Sequence, residues 1–129
     1  MKKEIFSILL TTVWISISEF VRNSFLLHEN WISHYRGLGM SFPEQPINGA
    51  VWGIWSLSFA IVIYILHLRF SFLQTIVLSW LVGFVLMWLV VGNLGVLPFS
   101  ILPFAIPLSL LEVFVAGFII KKFSSSNAK

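Results

Sequence analysis

The sequence predicts an all-α, polytopic membrane protein: a four-transmembrane-helix bundle with both termini in the cytoplasm (N-in/C-in). Three observations carry this. Hydrophobic residues make up 58% of the 129-residue chain and charged residues only 10%, with a mean hydropathy of +0.96. A soluble domain is nearer half apolar and a quarter charged, and so few charges cannot cover this much apolar surface in water. The apolar residues fall into four runs separated by polar or Gly/Pro-bearing breaks, and Lys and Arg gather at one set of run ends.

The length leaves room for one domain, placed at residues 1–123. With no Cys, disulfides, thiolate chemistry, Cys-ligated zinc and iron–sulfur clusters are excluded. The net charge of +3 raises nucleic acid as a partner. The basic residues are scattered at segment ends, however, so they read as membrane orientation and no nucleic-acid partner is expected.

The first helix is expected over about 5–27. Its uninterrupted part, Ile5 to Ser18, gives about 21 Å of helix, short of a hydrocarbon core of roughly 30 Å. The helix must therefore run on through Glu19, Arg22 and Asn23. A cleaved signal peptide is the rival reading of Met1-Lys2-Lys3 and the run behind it, but no small-x-small cleavage site follows. An outer loop, about 28–47, is the only connection long enough to hold structure of its own. The second helix, about 48–68, ends at His67 and Arg69. A short turn around Arg69-Phe70-Ser71 makes it a hairpin with the third, about 72–97, which Gly92-Asn93-Leu94-Gly95 and Pro98 terminate. The fourth, about 102–120, carries Pro103 in its first turn and Pro107 deeper, where a kink is expected. Residues 124–129 form a polar tail expected to be disordered.

Lys2, Lys3, Arg69, Lys121, Lys122 and Lys129 fall on one side of such a bundle, and only Arg22 and Arg36 on the other. Positive charge favours the cytoplasm, which sets the orientation.

Thr12, Ser16, Glu19 and Asn23 are spaced to lie along one helical stripe. Glu112, nine residues before Lys121, lies about 13 Å from the inner boundary, near the midplane. Glu19 falls in the outer half. The fourth helix is expected beside the first, bringing the carboxyls together. Glu19, Arg22, Asn23, Asn93 and Glu112 are the candidate ligand or ion pocket, with Asn48 near it. Intramembrane ionisable groups are costly and mostly functional. The bland alternative is that Glu19 pairs with Arg22 one turn on, that Glu112 bonds a neighbour while uncharged, and that both act as glue between helices. Arg22 is expected to be drawn to the outer interface, leaving Glu112 without a cation, uncharged, and replaceable by Gln at little cost.

No catalytic residue, cofactor or metal site is read. His28 and His34 flank Glu29, but their spacing of six puts them about 240° apart on a helix, so a zinc pair would need a loop. They read as interfacial loop residues, and His67, at the inner end of the second helix, reads as an interfacial residue rather than a catalytic base. Gly49-x-x-x-Gly53 offers a small packing face, and the deep Trp residues read as packing rather than a cofactor cage. Gly92-Asn93-Leu94-Gly95 lacks the Lys-Ser/Thr pair of a phosphate loop.

Ser18-Glu19-Phe20-Val21-Arg22-Asn23 with Leu26-Leu27, and Pro107 followed by Leu111-Glu112 and Ala116-Gly117, resemble the first and last helices of small uncharacterised bacterial membrane proteins. These have four predicted helices, an acidic residue late in helix one and a Glu before Ala-Gly in helix four. The resemblance implies the four-helix layout and a bacterial inner membrane, and no activity. Three functions compete: a transport or ligand-binding bundle using the carboxylates, a structural accessory protein, and a lipid-modifying enzyme. The last ranks lowest because no nucleophile or phosphate-binding set accompanies the carboxyls. Membrane lipid is the expected partner, together with further copies of the chain in a homo-oligomer.

Overall fold

The structure is a computed structural model, and it describes residues 1–124. Five helices account for most of them: α1 (Lys2–Leu26), α2 (His28–Gly37), α3 (Pro46–Arg69), α4 (Phe72–Asn93) and α5 (Phe99–Phe123). No strand occurs among the described residues. Helices α1, α3, α4 and α5 are each long and apolar enough to cross a membrane. The expected disordered tail at 124–129 lies outside the described residues apart from Ser124.

Each start and stop has a local cause. Pro46 opens α3, where its missing N–H removes no helical bond, and Gln45 and Asn48 form a reciprocal capping box. Asn48 is therefore occupied at a helix start, away from the polar cluster. Ser71 and Gln74 make the same box at the start of α4. That helix ends at Asn93, four residues before the Leu97 expected from sequence. Gly95 then adopts a left-handed φ of 81°, a conformation open to glycine at no steric cost. Helix α5 begins with a 3-10 turn at Phe99–Ile101 and continues through Pro107. The 28–47 connection is built rather than slack. Phe42 folds back onto α2, stacking on Trp31 at 5.5 Å between centroids and meeting Tyr35 edge-on at 5.2 Å.

Helix α1 packs against α3 and α5, α4 packs against the same two, and α3 touches α5 between them. The buried stripe of α1 is Ser7, Thr11, Ile15, Glu19 and Arg22. This stripe is centred one residue earlier than the expected Thr12/Ser16/Glu19/Asn23 line. Thr12, Ser16 and Asn23 sit half-buried at its edge, and the Thr12 hydroxyl donates to its own helix at Ile8 O, 2.8 Å, so it needs no partner across the bundle. The opposite face, Phe6, Leu9, Val13, Ile17 and Phe20, is exposed. An apolar exterior over a core rich in small hydroxyls suits lipid as the solvent.

Ile15, Phe59, Ile63, Phe84, Val113 and Ile120 anchor the main apolar core. A second cluster of Leu27, Leu97, Ile101 and Ala105 closes the end nearer α2. Two of the long helices widen by one residue per turn. In α1 this spans Val21–Leu26, with Leu27 N–H bonding Arg22 O five residues back at 2.9 Å, and in α4 it spans Leu81–Val85. Such π turns are rare and frequent at functional sites.

Candidate functional site

Arg22 is the centre of the site. It lies in the widened turn of α1, only 5% exposed, and its guanidinium donates in two directions. One nitrogen, Nη2, bonds Glu19 Oε2 one turn earlier at 2.5 Å. The other, Nη1, bonds Glu112 Oε1 on α5 at 3.0 Å. The guanidinium carbon also lies 5.2 Å from the ring centroid of Phe84, which belongs to the widened turn of α4. Both irregular turns thus meet at one side chain. The expectation that Arg22 is drawn to the outer interface is overturned, and with it the premise that Glu112 has no cation beside it. The cause is geometric: Glu19 and Arg22, three apart, fall on one helix face, and α5 brings a carboxylate to that face.

The remaining polar groups extend the network on both sides. Ser18 Oγ donates to Glu112 Oε1 at 2.6 Å, and Trp14 Nε1–H donates to the Glu112 backbone carbonyl at 2.9 Å. Asn23 Nδ2 donates to Glu19 Oε1 at 3.1 Å, and Trp31 Nε1–H of α2 donates to Asn23 Oδ1 at 3.1 Å. The structure therefore brings Glu19, Arg22, Asn23 and Glu112 together. Asn93 is not among them; it is exposed at the end of α4. Trp14, Ser18 and Arg22 recur every four residues, a spacing that puts them on one face. That spacing was the available sequence signal for Ser18 and Trp14, whereas Trp31 and Phe84 carried none.

Thr11, Thr75, Ser79 and Ser124 each bury a hydroxyl without a partner among the described residues, and within the polar cluster one atom does the same. Glu112 is fully buried, yet its Oε2 accepts no hydrogen bond from the described residues. Two carboxylates also share one guanidinium, so the fully ionised cluster holds an unbalanced negative charge in a place where unbalanced charge is costly.

A crevice of about 190 Å³ reaches this cluster between α1 and α5, lined by Trp14, Ser18, Arg22 and Glu112 and walled by Ile17, Val21, Leu26, Leu108 and Leu111. A second, open groove of about 590 Å³ lies between α2 and the start of α5. There Asn30 Nδ2 donates to Ser100 Oγ at 2.9 Å, and His34 Nε2 lies 2.8 Å from Gly95 O. His28 instead pairs with Glu44, so the two histidines serve different partners. His67 is buried in the last turn of α3. The Gly49 and Gly53 face meets open space instead of a helix.

Searches of protein families, curated proteins and solved structures find no match to this chain. The polar cluster itself is what remains to carry a function.

Proposed function

We propose that this small membrane protein binds one exchangeable positive charge, a proton or a small cation, between Glu19 and Glu112 beside Arg22. The observation that carries the reading is Glu112 Oε2, a buried acceptor without a donor in a cluster with one more carboxylate than cation. A network whose only task is to lock helices gains most when every member is satisfied. Here the Glu19 half fits that description, since Arg22 and Asn23 both donate to it. The Glu112 half does not: its Oε2 is a buried acceptor without a donor, on a residue that lines the crevice between α1 and α5.

The setting we propose is a bacterial inner membrane with both termini in the cytoplasm. Lys2, Lys3, Arg69, Lys121, Lys122 and Lys129 support that orientation. The ion pairing of Arg22 inside the bundle supports it, because Arg36 is then the only Lys or Arg left for the opposite loop.

The test is proton release. In weakly buffered phosphatidylcholine nanodiscs, methylammonium raised to saturation should bind the parent and displace protons in proportion to the cation bound, and Glu112→Gln should release none. A folded parent that neither binds the cation nor releases protons would leave the cluster as structural glue.

A further inference from the structure

The crevice gives the site a direction of approach, and from it we infer the class of ligand: a membrane-borne amphiphile with a primary ammonium head, entering sideways between α1 and α5. This rests on the binding-site reading above and narrows it. Approach from the loop side meets the buried apolar cluster of Leu27, Leu97, Ile101 and Ala105, against which Trp31 packs while bonded to Asn23. Approach along the bundle axis from the other end meets Ile15 and Val113, both fully buried. The remaining path is lateral. Ile17, Val21, Leu26 and Leu111 at its walls are exposed on the outer surface of the helices, the surface that faces acyl chains.

Size and charge then select the head. A cavity of about 190 Å³ holds about six water-sized groups, enough for a compact head but not for its chain, which stays against the leucine and isoleucine walls. An ammonium is a compact cation with three donors. It supplies the bond that Glu112 Oε2 lacks and balances the second carboxylate. A hydroxyl supplies the bond but leaves the charge. A trimethylammonium balances the charge but has no N–H to donate. An anionic head meets two carboxylates, and the guanidinium that would receive it is already bonded to both of them.

The experiment follows the unfolding midpoint of the protein in phosphatidylcholine nanodiscs, titrated with dodecylammonium, ethylammonium, dodecyltrimethylammonium and dodecanol. A ligand that binds only the folded state raises the midpoint saturably. Dodecylammonium should do so and the other three should not at matched concentration. Glu112→Gln should weaken it about tenfold to a hundredfold, the worth of one charge-assisted hydrogen bond. Leu111→Trp, which crowds the crevice mouth without touching the cluster, should weaken it as well. Equal stabilisation by ethylammonium would overturn the lateral lipid route while keeping a cation site. Equal stabilisation by dodecyltrimethylammonium or dodecanol would overturn the ammonium head. An unchanged dodecylammonium response in Glu112→Gln would show surfactant action alone and overturn this inference. A folded parent that responds to no amine would overturn the cation site as well.

Discussion

Arg22 is the residue on which the polar cluster depends, and the asymmetry of its bonds sets the cost of each substitution. Removing one partner of a buried ion pair strands the other, at about 3–5 kcal/mol. Arg22→Met leaves the Glu19/Glu112 pair without its cation, so it should lose about that much in unfolding measured in micelles. Glu112→Gln leaves Glu19 and Arg22 paired and electrically balanced, and Gln keeps an oxygen for Ser18 and Arg22. Its loss should stay near that of one hydrogen bond, about 1.5 kcal/mol or less. Equal destabilisation by the two variants would mean that Glu112 is held chiefly as a charge. At this scale the sequence was legible in part. Glu19, Arg22 and Glu112 stand out because ionisable groups are rare in apolar runs, and Asn23 stands out by its helical spacing from Glu19. The partnership of Arg22 with Glu112 does not, because rise along one helix says nothing about how far a flexible side chain reaches inward once another helix offers it a carboxylate.

The elements show why the four apolar runs were readable and their local departures were not. Length and hydropathy fix a spanning helix, and the Gln45/Asn48 and Ser71/Gln74 boxes fix two of the starts. The widened turns at Val21–Leu26 and Leu81–Val85 depend on tertiary contacts, and apolar patterning gives no warning of them. Nor does polarity alone separate a loop from the short helix α2, whose place is set by Phe42 stacking on its Trp31. Gly83, inside the α4 turn, tests how tightly that region is built. A Cβ there would lie 2.5 Å from Phe59 Cζ, and the Phe59 ring is held by Trp55 and Phe84. Gly83→Ala should therefore destabilise by about 1–3 kcal/mol, the usual cost of overpacking. At Gly117 the clashing atom is Ile76 Cδ1 at 2.5 Å, the tip of a side chain that can rotate, and Gly117→Ala should cost less. The reverse order in thermal or denaturant unfolding would contradict the packing described for α4.

For the whole molecule, orientation follows from charge and access to the site from packing. The chain has no cysteine, so single introduced thiols report cleanly. Met40→Cys, in the exposed segment after α2, should react with a membrane-impermeant thiol reagent added to intact cells. A cytoplasm-dependent reporter fused after Lys129 should be active in the same cells. Protection at position 40 together with a silent reporter would invert the proposed orientation. Position 40 and the C-terminus found on the same side would mean an even number of crossings between them, against the three expected.

The central claim is that Glu19 and Glu112 share a site for one exchangeable positive charge, and infrared difference spectroscopy of the carboxyl C=O stretch tests it most directly. With no cation added, the parent in phosphatidylcholine nanodiscs should show a protonated-carboxyl band that disappears on adding a primary ammonium ligand. Both Glu112→Gln and Glu19→Gln should abolish the ligand-induced change while leaving helical content intact, because the proton is held between the two groups. A parent without such a band, or a ligand response that survives Glu112→Gln, would contradict the claim.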